Sequence, residues 1–319
     1  MTHSLKDALD VPGALPIAGA PEGWEAFQLA QAGRDGAEIL HVAQDEPRMD
    51  RMARALRLIA PDLAIFEFPA WDCLPYDRVS PSAEALARRV DCLIELTRRG
   101  AGGCVVLTTV AAALQRVPPR AAFADAWVEA TVGERIERDS MAARLDGMGF
   151  IRVETVQDAG EYAVRGGILD LFPPGRDDPV RLDFFGDEIE TIRAFDALTQ
   201  RTIGPLDRFT LKPVDEIRFD AESIARFRQG YRTRFGAGGG DDPVYESVSA
   251  GRRYAGVEHW IPLFYENLET IFDYLPEDAP VTLDDGVDAV LDARFETIRD
   301  YFEARRAAAA TPPAGSTPY

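Results

Sequence analysis

This chain of 319 residues is short of cysteine, histidine, lysine and positive charge in general. The three cysteines, Cys73, Cys92 and Cys104, stand far apart, and the three histidines, His3, His41 and His259, are scattered. With no C-x-x-C pair and no Cys/His cluster, a structural zinc site is not expected, and the thiols are expected to be free in a reducing compartment. No run of about 18 apolar residues is present, so no membrane span is expected. Met1 to Pro12 lacks the apolar core of a signal peptide, which makes the cytoplasm the expected location. Only Lys6 and Lys212 supply lysine, and 35 Lys and Arg face 54 Asp and Glu, for a net charge of −19. Phosphate neutralisation by Lys and Arg dominates non-specific nucleic-acid binding. DNA is therefore not the expected main partner of this chain, although a local basic patch is compatible with the total.

What is present suffices for two or three domains, with 46% hydrophobic residues to build their cores. From about residue 14 to 120 the pattern alternates between strands and helices. Ala37–Ala43, Leu63–Phe68 and Cys104–Thr109 read as short apolar strands, the last nearly continuous, as strands buried on both faces are. Asp45 is placed to cap a helix running to about Leu58, with Pro47 in its first turn. Ser82 to Arg99 reads as a long amphipathic helix and Val110–Gln115 as the start of another. This alternation predicts an open, mostly parallel α/β sheet.

The character changes near Ala124. Val128–Val132, Phe150–Val156, Gly167–Phe172, Val180–Phe185 and Glu188–Phe195 alternate with period two, and a short helix capped by Asp139 or Ser140 and running through Met148 lies among them. Gly186-Asp187 marks a hairpin turn. From Phe209 onward come a helix at Ser223–Phe235, a glycine-rich loop at Gly236–Asp242, an aromatic section around Trp260 to Tyr274, a strand at Val281–Leu283 and a helix from Val287 to about Ala309. The resulting expectation is one α/β domain built from residues 1–123 and 209–310. A small α+β domain, 124–208, interrupts it, and a disordered tail spans 311–319.

A parallel sheet invites a search for a phosphate loop. The nearest match to G-x-x-x-x-G-K-[S/T] is Gly19–Glu25, which has neither the lysine nor the hydroxyl; Pro21 removes a backbone donor, and Glu22 and Glu25 repel phosphate. No cofactor is expected for this chain. The acidic group Asp183, Asp187, Glu188 and Glu190 raises a magnesium-dependent nuclease as one reading, but these residues flank a hairpin tip and need not converge. Trp71–Pro81 reads either as a binding loop or as a rigid connection ending in a helix cap at Ser80 or Ser82. No nucleophile motif or zinc-protease motif occurs. The strand Val180–Phe185 stands out instead. Val180, Leu182 and Phe184 share one face, and Arg181, Asp183 and Phe185 the other. An exposed aromatic ring beside an arginine is the composition of a protein-binding hot spot.

The segments Phe68–Asp77, Leu107–Val117, Gly160–Pro173, Arg181–Phe185 and Phe195–Thr202 resemble the N-terminal region of the bacterial transcription-repair coupling factors, the Mfd family. The resemblance runs from about residue 35 to about 300. It implies a degenerate helicase-like (RecA-like) domain, split by a small inserted domain that binds UvrA. It also implies that RNA-polymerase contacts, DNA contacts and the ATP- and magnesium-dependent translocase lie in other parts of a longer protein. On this resemblance the UvrA contacts fall on Arg165, Arg181 and Phe185, with Asp183 an additional candidate that orients the arginines or touches the partner. In the family a C-terminal domain can mask this surface, and this chain is expected to be binding-competent without it. The implied role is a non-catalytic adaptor in nucleotide excision repair. A UvrB-type ATP-dependent DNA-processing enzyme is the alternative, opposed by the missing lysine.

Overall fold

The computed structural model describes residues 13, 16, 17, 23–76, 79–236 and 242–310, the last three by their backbone only. Met1–Pro12, most of the Gly19–Glu25 motif, most of the Gly236–Asp242 loop and the 311–319 tail lie outside the described residues. The first elements along the chain are α1 (Trp24–Arg34), β1 (Glu38–Ala43), α2 (Glu46–Ile59), β2 (Ala64–Phe68), α3 (Ala83–Arg98), β3 (Cys104–Thr109), α4 (Val110–Ala113), β4 (Val128–Thr131) and α5 (Arg138–Gly147). They are followed by β5 (Ile151–Arg152), β6 (Glu161–Arg165), β7 (Ile168–Leu171), β8 (Val180–Phe185), β9 (Glu188–Phe195), β10 (Thr202–Leu206) and β11 (Arg208–Leu211). The last elements are α6 (Ala221–Phe235), α7 (Pro243–Ser249), β12 (Val281–Leu283) and α8 (Val287–Ala310). The chain divides into two compact units, one of residues 1–79, 100–115 and 275–319, the other of 80–99 and 116–274.

The first unit holds a four-stranded sheet in the order β12-β1-β3-β2, every pairing parallel. Its centre is apolar because both faces are covered: all six residues of β3 are buried. Ile39, Val105 and Leu107 pack with Leu29 of α1 and with Met49, Met52 and Leu56 of α2. The return of Val281–Leu283 to this sheet, anticipated from the sequence, is seen as the parallel β12–β1 pair. The backbone N–H of Arg48 donates to the Asp45 carboxylate at 2.8 Å, giving α2 its N-cap.

The second unit holds a six-stranded sheet in the order β10-β9-β8-β7-β6-β5, antiparallel except for β5–β6. Leu169, Leu171, Val180, Leu182, Ile189 and Ile192 point to one face. There they pack with Met141 and Leu145 of α5 and with Ala130 and Phe209 of the two-stranded β4–β11 ribbon. Helix α3 belongs to this unit: Lys212 donates to its Asp91 and Glu95, both at 2.5 Å, and its Arg89 pairs with Glu216 with both side chains essentially sealed from solvent. Beyond β11, Phe227, Tyr231, Tyr245 and Phe264 form a separate aromatic core.

Two local expectations are corrected. The predicted strand Phe150–Val156 is reduced to Ile151–Arg152. The backbone N–H of Val153 still donates to the Tyr162 carbonyl at 2.8 Å. Past Val153 the chain leaves the sheet edge and tucks Val156 into a small cluster with Ala163 and Phe195. Helix α5 starts at Arg138 with Glu137 at its N-cap position and no side-chain cap. Asp139, expected to cap, instead accepts from the Arg138 guanidinium at 2.8 Å.

Candidate functional site

Strand alternation gives the six-stranded sheet a second face, away from the main core. Register decides what meets there. Asp170 of β7 lies opposite Arg181 of β8, which lies opposite Arg193 of β9. Arg165 ends β6, and the two-residue turn Gly166-Gly167 returns the chain into β7. Gly166 takes a φ of 58°, a left-handed conformation that glycine adopts without steric cost. The Gly167 carbonyl accepts from the backbone N–H of Phe184 at 2.8 Å, so the β6–β7 turn abuts the end of β8 that carries Phe185.

The chemistry of the face centres on Asp170, whose side chain is fully buried. Its Oδ1 accepts from Arg181 Nε at 2.6 Å, and its Oδ2 accepts from Arg181 Nη2 at 2.8 Å and Arg165 Nη2 at 2.5 Å. One carboxylate thus holds two arginines, the first in a bidentate fork. The guanidinium of Arg181 also sits 4.6 Å from the centre of the Phe195 ring, a cation–π contact. The hydrogen bonds to Asp170 raise the pKa of Arg181 further above its ordinary value, against the opposing effect of burial. The two arginines differ in access: the Arg165 side chain is 49% exposed and that of Arg181 only 16%.

Phe185 is 79% exposed at the tip of the β8–β9 hairpin, opposite Glu188. Its neighbour Phe184 turns inward and packs on the main core. A register shift follows Asp183: Asp183 pairs with Thr191, and Phe184 with Ile189. Glu190 is the extra residue of a β-bulge, which keeps Ile189 and Ile192 both in the core while Glu190 and Thr191 are both exposed.

Of the four residues expected from the sequence, Arg165, Arg181 and Phe185 therefore share one face of the sheet, with Arg165 and Phe185 toward the end marked by the β6–β7 turn and Arg181 four residues from Phe185 along β8. Asp183 does not orient either of these arginines. Its Oδ2 accepts from Thr191 Oγ1 at 2.6 Å and from Arg193 Nη2. Sequence reasoning passed over Asp170 and Arg193. The available signal was a single carboxylate inside the apolar strand Ile168–Leu171, with an arginine in the strand on each side.

The remaining sequence candidates find ordinary roles. Ser82, not Ser80, caps α3, accepting from Ala85 N–H at 3.2 Å. Ser80 Oγ donates to Glu258 at 2.8 Å and accepts from Gly256 N–H. Tyr76, with a φ of 59°, packs its ring 5.5 Å from that of Phe302. Among the described residues no group of His, Cys, Asp and Glu side chains is arranged to hold a metal ion. Nor is any helix among them long and apolar enough to cross a membrane.

Comparison with known proteins defines the class first. Residues 128–216, which contain the whole six-stranded sheet and the β4–β11 ribbon, match the UvrB interaction domain family. The wider chain is similar to transcription-repair-coupling factors. It is 36% identical to that of Haemophilus influenzae over 258 residues, which is 80% of this chain and 22% of that protein. It is 37% identical to that of Escherichia coli K12 over 216 residues, 67% of this chain and 19% of that protein. The Myxococcus xanthus protein is 35% identical over 303 residues, covering 88% and 25%. The chain belongs to the transcription-repair-coupling factor family, as the module that carries its UvrB interaction domain, and the resemblance drawn from the sequence is borne out. It spans about a fifth to a quarter of the length of the curated relatives it matches.

Proposed function

We propose that this chain is a non-catalytic adaptor that recruits UvrA to lesion-stalled RNA polymerase in nucleotide excision repair, as part of a longer protein acting in the cytoplasm. The observation that carries this reading is the end of the six-stranded sheet within the UvrB interaction domain. There an exposed phenylalanine, Phe185, shares a face with Arg165 and, four residues back along β8, Arg181, both arginines held by buried Asp170. Phe185 would fill an apolar pocket on UvrA, and Arg165 would make charge-assisted hydrogen bonds to carboxylates at its rim. Arg181, largely covered, would act mainly by fixing Asp170 and through it Arg165. Asp183 would hold Arg193 at the margin of the surface.

The parallel-sheet unit would be the degenerate RecA-like domain. In open α/β sheets ligands lie beyond the carboxyl ends of the strands, commonly at a helix N-terminus. Here β1 leads into α2, and the Asp45 carboxylate already occupies that N-terminus. Arg48, the nearby cation, is engaged by Asp284 and Glu25. Two acids, Asp45 and Glu46, stand where a nucleotide phosphate would need donors. This opposes the alternative of a UvrB-type ATPase; RNA polymerase, ATP and the DNA on which the translocase acts would engage other parts of the full protein. The domain division proposed is 1–123 with 209–310 for the helicase-like part and 124–208 for the UvrA-binding part, although by packing 80–99, 116–123 and 209–274 group with the latter.

Calorimetric titration of UvrA into this chain tests the reading. Binding that weakens by about 2 kcal/mol or more in a folded Phe185→Ala variant supports the assigned surface. Binding indifferent to Phe185 and Arg165 keeps the partner and moves the site, and absence of binding by the parent chain overturns the adaptor reading. ATP hydrolysis by the purified chain would revive the alternative.

A further inference from the structure

Helix α6 is the most basic element of an acidic chain. Its sequence holds Arg226, Arg228, Arg232 and Arg234 against one carboxylate, Glu222. Arg226 is neutralised locally by Glu222 at 2.8 Å. Arg228, Arg232 and Arg234 are exposed, and none is in an ion pair with a carboxylate of the described residues. Arg228 and Arg232 are four residues apart, hence neighbours on one side of the helix, a like-charge placement that weakens an isolated helix. The helix dipole rewards cations in the last turn, which accounts for Arg232 and Arg234, while Arg228, two turns from the end, reaches the Tyr245 hydroxyl without meeting a carboxylate.

The same side of α6 ends in an aromatic step. Phe235, three residues beyond Arg232, is 51% exposed. It is not loose: its ring lies 4.7 Å from that of Tyr231 and meets the half-buried Trp260 edge-on at 5.7 Å. Arg232 itself lies 5.5 Å from the Tyr245 ring centre. The rings beneath, Tyr231, Tyr245 and Phe227, are buried and hold this surface rigid. A row of unneutralised guanidinium groups ending in a supported, half-open ring is the arrangement that tracks a phosphate backbone and stacks a base.

We propose that the Arg228–Arg232–Phe235 side of α6 is a weak, sequence-tolerant binding surface for single-stranded nucleic acid. Its occupant is chosen by charge complementarity and by the ring: an acidic polypeptide would satisfy the arginines but offers Phe235 a ring only where its sequence carries one, whereas every nucleotide carries a base. The surface is separate from the UvrA-binding face proposed above and does not depend on it. Its affinity is limited by the net charge of −19, so binding is confined to low salt for the isolated chain.

Fluorescence anisotropy of a labelled oligothymidylate, titrated with the full chain at low salt, tests the proposal. The expected result is saturable binding that weakens steadily as salt is raised. An R228E/R232E variant, with its thermal unfolding unchanged, should lose that binding at least tenfold while its UvrA titration matches the parent. Phe235→Ala should weaken binding several-fold without changing the salt dependence, because it removes a ring and no charge. No binding by the parent at low salt, or equal binding by R228E/R232E, overturns the proposal. Equal competition by poly-glutamate and by unlabelled oligothymidylate, with Phe235→Ala indistinguishable from the parent, also overturns it in favour of an acidic protein partner.

Discussion

The two sheets of this chain solve opposite problems. The parallel sheet buries both faces, and its central strand β3 is apolar from Cys104 to Val106 and beyond, with only threonines at its end. The six-stranded sheet packs one face on the main core, covers part of the other with a small cluster at Ala163 and Phe195, and uses the rest to mount Asp170, Arg165, Arg181 and Arg193. A sheet wrapped on both sides has little surface left for a partner except at its strand ends, and here the end of β1 is occupied by the chain's own carboxylates. A sheet left partly open on one side can present an ordered polar array. Under the proposed function, the six-stranded sheet would be the part that recognises a partner.

Substitutions that disturb one sheet and spare the other test this division. Removing Asp170 has the largest expected effect. Asp170→Ala leaves two arginines without their carboxylate, one of them largely buried, and should cost about 3–5 kcal/mol in denaturant unfolding together with UvrA affinity. Leu107→Ala in the parallel sheet should cost about 2–5 kcal/mol of stability. UvrA affinity of the folded Leu107→Ala protein should stay at the parental value, and a parallel fall in affinity would break the division of labour. Phe185→Ala should show the reverse, a stability change within about 0.5 kcal/mol with a binding loss of about 2 kcal/mol or more by calorimetry. Arg165→Ala should weaken binding by less than Phe185→Ala, by about 1 kcal/mol, with a small cost in stability.

Effects of pH form a separate set, each confined to part of the pH range, and they run in opposite directions in the two units. Burial pushes Asp284 up, but hydrogen bonds from His41 and Arg48 outweigh it and hold the carboxyl down at about 2, below its ordinary 3.8. The stability it contributes is present above pH 3.8 and is lost as the pH falls toward 2. Glu258 is the converse: burial, aided by the charge of Asp215, pushes it up to about 7 from 4.5. Its folded form holds a proton that the unfolded chain releases, so this contribution is full below pH 4.5 and is lost as the pH rises through 7. Chemical denaturation across pH should show Glu258→Gln gaining on the parent by about 1–2 kcal/mol between acid and pH 8. Asp284→Asn should flatten the acid limb alone.

Much of this fold is legible in the sequence where the signal is local. Cys104–Thr109 and Val281–Leu283 read correctly because apolar β-rich runs bounded by turns need no distant information. Asp45 reads as a cap for the same reason, and Ser82 as one of two candidates beside Ser80. The alternation of Val180–Phe185 correctly separates Leu182 from Arg181 and Phe185. What escapes is whatever depends on register between strands. Asp170 gains its meaning only when β7 pairs with β8 and β6, and Asp183 turns to Arg193 because of how β8 meets β9. The failure at Phe150–Val156 has a related cause, since an edge segment with one partner strand lacks the second ladder that would keep it extended.

The buried Asp170 has one more consequence, which concerns time and order rather than energy of contact. Arginine has many rotamers, and immobilising such a side chain on association typically subtracts about 0.5–1.5 kcal/mol from affinity. Arg165 and Arg181 meet any partner already fixed, because the conformational entropy was surrendered when the sheet closed around the carboxylate. At the proposed surface, docking would need no search for the right side-chain arrangement, and the rate of productive encounter would be set by how often the hairpin tip strikes a partner pocket in the correct orientation.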